Sequence, residues 1–184
     1  MVQPARPACA HDAVATVRSS VCWIARTQVP CFACVRLSDV LGLILPADSA
    51  IDRHDSGSPR PALPCDEIKY FQLIYVRRIS APTLEDIVQL YCGDIEHLYE
   101  DYDLRLDRRY IMNHCDRCGA RFSDAKLFAP PGALFNRPRP ARRNRIALHR
   151  CAIPVVATGC MAPIADHVAA AIEAAAHGLF ALPA

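Results

Sequence analysis

Hydrophobic residues recur along this chain in two patterns, one typical of strands and the other of helices. Short apolar runs rich in β-branched and aromatic residues, bounded by polar or Pro- and Gly-containing segments, predict strands. Such runs occur at residues 28–37, 40–45, 68–76, 125–130 and 146–157. Apolar residues three and four positions apart, at 83–102 and again at 163–180, predict two amphipathic helices. The first two runs favour a hairpin.

The helix predicted over 83–102 has a start signal as well as an apolar face. Thr83 and Asp86 resemble a capping box, in which the two side chains bond the free amides of the first turn. The apolar face comprises Leu84, Ile87, Val88, Tyr91, Ile95, Leu98, Tyr99 and Tyr102. In the C-terminal helix, the equivalent face comprises Ile164, Val168, Ile172 and Ala175, and Gly178 is a stop signal.

Two segments have no such periodicity. Residues 1–20 are predicted to be a flexible N-terminal segment, and residues 46–64, which gather Pro, Gly, Ser and Asp, are predicted to be a loop. A chain of 184 residues is the size of one domain. Residues 21–184 are therefore predicted to form a single domain that contains the loop.

Composition and charge place this domain in the globular class. Hydrophobic residues make up 52% of the chain and charged residues 22%, enough apolar material for a core. The formal net charge of +2 conceals eight acidic residues against one Arg at 83–107, and six Arg without an acid at 137–150. No apolar run reaches the roughly 20 residues that span a bilayer, and the N-terminus lacks the apolar core of a secretory signal. We expect a cytoplasmic location and no membrane partner.

Ten cysteines are unusual for a reducing compartment, where Cys either packs as a small hydrophobe or binds metal. The turn Cys115-x-x-Cys118-Gly119 has the spacing that chelates Zn²⁺ with two thiolates. A structural zinc needs four ligands, and Cys31 and Cys34 form the second pair with this spacing. Their segment has the pattern of a strand, however, in which residues three apart point to opposite faces. The segment would have to bend into a turn to bind metal.

The region from Tyr110 to Phe135 resembles a group of uncharacterised bacterial zinc-ribbon-like proteins. These have an Asn-x-Cys-x-x-Cys-Gly-Ala turn, and they open with a Cys-Trp-x-Cys turn that leads into a strand. The resemblance covers about 22–36 and 104–136, and its matching positions are Cys22, Trp23, Pro30, Phe32, Ala33, Cys115, Cys118, Gly119 and Ala120. Ala25 stands where the family has its fourth Cys.

The resemblance implies an α+β fold: a small antiparallel sheet of zinc-ribbon-like type, with an inserted acidic helix and a C-terminal helix. It implies a structural Zn²⁺ held by Cys22, Cys115 and Cys118, with a fourth ligand from Cys31, Cys34 or His114. A site made of Cys31, Cys34, Cys115 and Cys118 is an alternative. A ribbon that has lost its metal is another.

No hydrolase, nucleotide-binding or metalloprotease signature occurs, so no enzymatic activity is indicated. We expect a non-enzymatic interaction module with a zinc site and an unknown protein partner. The alternative is a nucleic-acid-associated protein, since the loop at 137–150 carries side chains suited to phosphate. These candidates are Arg137, Arg139, Arg142, Arg143 and Arg145.

Overall fold

The computed structural model describes residues 14–53, 69–80, 96–128, 146–164 and 166–176. Within them lie ten strands and two helices. The strands are β1 (Val14–Ser19), β2 (Cys22–Pro30), β3 (Leu37–Pro46), β4 (Ala50–Arg53), β5 (Tyr70–Ile79), β6 (Leu98–Asp103), β7 (Arg108–His114), β8 (Arg121–Phe122), β9 (Ala147–Cys151) and β10 (Val155–Pro163). The helices are α1 (Asp124–Leu127) and α2 (Asp166–Ala176).

The strands form two antiparallel sheets. The larger sheet has seven strands in the order β4-β1-β10-β5-β3-β2-β9, and the smaller has three in the order β6-β7-β8. Strand β7 packs against β5 and β3, where the Tyr75 and Tyr110 rings meet edge to face at 5.2 Å. The expected fold class, a small zinc-ribbon-like α+β domain, is therefore wrong. The described residues are mostly strand, and seven of the ten strands belong to one large sheet.

The core lies on both faces of the central strands. Along β2, Trp23 and Ala25 belong to one buried cluster, while Cys22 and Ile24 belong to the other. Since successive residues of a strand point to opposite faces, β2 is buried on both sides. This explains why the strand begins with four consecutive apolar residues, at 22–25, instead of an alternating pattern.

The local predictions have mixed outcomes. The strand at 68–76 and the C-terminal helix are confirmed. A hairpin does form near the first two apolar runs, but the predicted strand at 28–37 is wrong: β2 ends at Pro30, residues 31–36 form the turn, and β3 begins at Leu37. The predicted helix over 83–102 is wrong at its end, where Leu98–Asp103 is strand β6, and its earlier part lies outside the described residues. The run at 125–130 is not a strand, because Asp124–Leu127 is helical. Strand β1 lies within the predicted flexible segment, and β4 lies within the predicted loop.

No helix in the described part of the chain is long and apolar enough to cross a membrane.

The pairing of β10 with β5 is interrupted by a bulge in β5, opposite Gly159 of β10. The register passes from Thr158 opposite Arg78 to Cys160 opposite Ile74, so Gly159 alone faces residues 75–77. A Cβ atom on Gly159 would lie 2.9 Å from the Ile74 carbonyl oxygen. Only glycine permits this close approach of the two backbones.

Gly159→Ala is expected to lower the free energy of unfolding by about 1–3 kcal/mol, because the added methyl group overlaps a backbone atom that cannot rotate away. Urea denaturation followed by circular dichroism measures this change. A denaturation midpoint equal to that of the wild type would contradict the steric account of the bulge.

Candidate metal centre

The first cysteine turn joins β2 to β3. The Cys31 N–H donates to the Arg36 carbonyl at 2.8 Å, and the Val35 N–H donates back to the Cys31 carbonyl at 2.9 Å. These bonds bend the segment that the sequence pattern suggested was a strand. Cys31 and Cys34 are thereby brought to the same side of a tight turn.

The second cysteine turn joins β7 to β8 and repeats the same hydrogen bonds. The Cys115 N–H donates to the Ala120 carbonyl at 2.8 Å, and the Gly119 N–H donates to the Cys115 carbonyl at 2.9 Å. In both turns the first sulfur also accepts a backbone amide two residues later, from Ala33 at 3.4 Å and from Arg117 at 3.5 Å. Each turn is therefore shaped to stabilise negative charge on its first cysteine.

The two turns face each other across the junction of the two sheets. Beside them, the Asp116 N–H donates to the Ser38 hydroxyl oxygen at 3.1 Å. Further along β7, the Asn113 amide accepts the Leu41 N–H at 2.8 Å and donates to the Leu41 carbonyl at 3.0 Å. This two-way bond fixes the position of β7 on β3 and so aligns the two cysteine turns.

The four sulfur atoms of Cys31, Cys34, Cys115 and Cys118 all lie within 4.8 Å of one another. The shortest separations between the turns are 3.7 Å, from Cys31 to Cys118, and 3.6 Å, from Cys34 to Cys115. Zinc–thiolate bonds of about 2.3 Å in a tetrahedron place two sulfurs about 3.8 Å apart. The four cysteines thus have the spacing of ligands around one tetrahedral metal ion.

The thiols ionise unequally. Burial opposes ionisation of Cys115, but the amides of Arg117 and Cys118 and the thiols of Cys34 and Cys118 lower its pKa to about 7. The Ala120 amide favours the Cys118 thiolate, yet burial and the neighbouring cysteine sulfurs raise the pKa of Cys118 to about 12. Since like charges at this spacing repel, a bound cation is what would allow all four groups to ionise.

Cys22, a predicted ligand, lies elsewhere. It is buried in β2 directly opposite Cys151 of β9. The hydrogen bond with Cys151, together with burial, raises the pKa of the Cys22 thiol well above its ordinary value. A buried thiol of this kind packs as a small hydrophobe and is a poor metal ligand. Trp23, the other residue of the expected opening turn, is part of the core.

His114, a predicted candidate for the fourth ligand, is committed to other partners. Its Nε2 lies 3.1 Å from a carboxylate oxygen of Asp101, and its Nδ1 lies 3.3 Å from the His97 carbonyl oxygen. The ring also stacks on Tyr99 at 3.7 Å. With both nitrogens engaged, His114 supports the base of the second cysteine turn and is not one of the grouped ligands.

The predicted nucleic-acid residues, Arg137, Arg139, Arg142, Arg143 and Arg145, lie outside the described residues. In the predicted acidic helix, Asp94 also lies outside them, whereas Glu96, Glu100, Asp101 and Asp103 are described, and the last three belong to strand β6.

Sequence reasoning considered Cys31 and Cys34 but placed them second, because their segment has an apolar pattern. The signal that favoured them was the matching spacing of the two C-x-x-C pairs, which is typical of two turns that share a metal. The supporting roles of Ser38 and Asn113 had no sequence signal, since they depend on which strands pack together.

No family model matches the chain, and no match was found among curated proteins or solved structures. The resemblance to zinc-ribbon-like proteins therefore stays a prediction.

A buried carboxyl group connects α1, which follows the small sheet, to β5 of the large sheet. Asp124, on α1, is 3% exposed and accepts the Tyr75 N–H at 2.7 Å. That amide lies at the bulge of β5. Burial, with a smaller contribution from the charge of Asp103, raises the pKa of Asp124 to about 7, although the Tyr75 amide opposes the shift. The folded protein therefore retains a proton here at pH values where the unfolded chain has lost it.

The sign of the resulting pH dependence follows from this proton. Between the ordinary pKa of Asp, about 4, and 7, the folded state binds more protons than the unfolded state, so stability falls as pH rises and levels off above about 7. Asp124→Asn keeps an oxygen for the Tyr75 amide but cannot ionise. We expect the wild type to lose about 1 kcal/mol per pH unit relative to this variant between pH 5 and 7.

Urea denaturation of both proteins across this pH range gives the difference directly. Parallel stability curves for the wild type and the variant would contradict the raised pKa of Asp124.

Proposed function

We propose that this protein is a zinc-dependent binding module. A single Zn²⁺ held by Cys31, Cys34, Cys115 and Cys118 joins the large sheet to the small one, and the surface around the two cysteine turns binds another protein. The observation that carries the proposal is the arrangement of the four sulfurs, which lie within 4.8 Å of one another although they come from two hairpins far apart in sequence.

The donor set supports zinc. Four soft thiolates in a tetrahedron favour Zn²⁺ or an iron–sulfur centre among biological metals. Sulfur separations of 3.6 and 3.7 Å between the turns suit a single ion about 2.3 Å from each sulfur. A disulfide would need sulfurs about 2.0 Å apart, so the grouped cysteines are free thiols.

The same donor set argues against a catalytic metal. A catalytic zinc keeps a coordination position open for water or substrate, whereas four protein thiolates fill the tetrahedron. The ion would be structural. Its binding would contribute folding free energy, because the unfolded chain has no preformed site and the two turns are separated by about 80 residues of sequence.

Zinc content of protein purified without added metal tests the proposal. The wild type is expected to carry about one zinc per chain by elemental mass spectrometry, in keeping with one tetrahedral site. Cys34→Ser and Cys118→Ser, one from each turn, are expected to lose most of it. Cys22→Ser is the matched control, because that cysteine lies in the core away from the turns, and it should keep its zinc.

A chelator should also lower the melting temperature of the wild type while leaving the melting temperature of Cys34→Ser nearly unchanged. Zinc lost in Cys22→Ser but kept in Cys34→Ser would contradict the ligand assignment. Iron in place of zinc would overturn the identity of the metal, and absence of both metals would overturn the proposal.

A further inference from the structure

The first cysteine turn exposes an unusual amount of apolar surface. Phe32 is 64% exposed, Val35 is 81% exposed and Leu37 is 57% exposed. We call these three residues the turn patch. Among the described residues, four large hydrophobic side chains are more than half exposed, and three of them lie within this six-residue segment. Clustered apolar exposure, unlike scattered single residues, is typical of a docking surface.

Val35 also has an unfavourable backbone conformation, which is an independent observation on the same turn. It occupies the same position in the first turn as Gly119 in the second, and both backbones are left-handed, with φ of +55° and +70°. This conformation suits glycine but strains a β-branched residue. The first turn therefore has an exposed, strained valine where the equivalent turn has glycine. Such strain is characteristic of functional positions.

Two cationic side chains lie beside the turn patch. Arg36 lies between Val35 and Leu37, and the Lys126 ammonium sits 4.7 Å from the centre of the Phe32 ring. On the second turn, the Arg117 side chain is 72% exposed and its Nε lies 4.0 Å from a carboxylate oxygen of Asp116. No ion pair among the described residues occupies Arg36 or Lys126. A partner with negative charge around an apolar anchor would complement this surface.

We propose that the turn patch is a docking site for an acidic peptide segment of a partner protein, with an apolar side chain seated against Phe32, Val35 and Leu37 and carboxylates near Arg36 and Lys126. This inference rests on the proposed function, because the metal would hold the turn in shape. The turn patch would be the binding surface of the zinc module, and an acidic peptide with an apolar side chain would be its ligand.

The shape of the surface favours a peptide over a nucleic acid. Single strands bind to aromatic platforms on which successive bases stack. Here the patch has one aromatic ring, whose face is covered by Lys126, and two aliphatic side chains. Aliphatic contacts suit the apolar side chains of a protein partner.

The experiment uses the zinc-loaded full chain to select from a display library of random twelve-residue peptides. Enriched peptides are expected to combine Asp or Glu with a large apolar residue. Fluorescence polarisation of one labelled, enriched peptide then gives its affinity for the wild type and for variants. We expect Val35→Gly and Phe32→Ala each to weaken peptide binding at least tenfold. Arg36→Glu should also weaken binding at least tenfold, and the affinity that remains should depend less on salt concentration than that of the wild type.

Val35→Gly best separates loss of binding from loss of stability, because it removes the apolar side chain while relieving backbone strain. It should keep its zinc and be at least as stable as the wild type, so lost binding cannot be attributed to unfolding. Leu104→Ala is the matched control: Leu104 is also highly exposed, at 78%, but lies on the turn between β6 and β7, so its substitution should leave affinity unchanged.

Three results would overturn the docking proposal: no enrichment, enriched peptides that lack acidic residues, or equal binding by the wild type and Val35→Gly. If a labelled twenty-nucleotide single-stranded DNA binds the wild type and binds Val35→Gly more weakly, the ligand of the turn patch is a nucleic acid and the peptide proposal is overturned. Zinc content is measured on the same samples, so a failure of the metal site is distinguished from a failure of the docking site.

Discussion

The meeting of the two cysteine turns is the contact on which the architecture depends. One turn closes a hairpin of the seven-stranded sheet and the other closes a hairpin of the three-stranded sheet, and their four sulfurs come within 4.8 Å. Thiolates at that spacing repel each other unless a cation lies between them. Because the four sulfurs are already held at this spacing, they would form a strong chelate once the thiols ionise around a metal ion.

Weaker interactions prepare this arrangement. The Asn113 side chain makes two hydrogen bonds to the backbone of Leu41. The Ser38 hydroxyl accepts the Asp116 N–H, and the Asp124 carboxylate accepts the Tyr75 N–H at the bulge of β5. Each is a bond from one sheet, or the segment that follows it, to the other. Together they align the turns before any ion binds, and the outer surface of the first turn keeps its apolar residues exposed.

Local patterns predicted some features and misled on others for identifiable reasons. Val168 and Ile172 marked the C-terminal helix because one face of that helix is buried. Leu98, Tyr99 and Tyr102 also fit helical spacing, but pairing with β7 made them a strand. Cys31 and Cys34 appeared to lie in a strand because apolar residues continue through their turn, and those residues are exposed instead of buried. Partners supplied by distant strands, such as Asn113, have no local signature.

X-ray absorption at the metal edge of the purified protein reports the number, type and distance of the atoms around the ion. We expect a zinc edge with four sulfur neighbours at about 2.3 Å and no nitrogen or oxygen bound to the metal. A histidine or water ligand, or fewer than four sulfurs, would contradict the closed four-thiolate site and the structural role assigned to it.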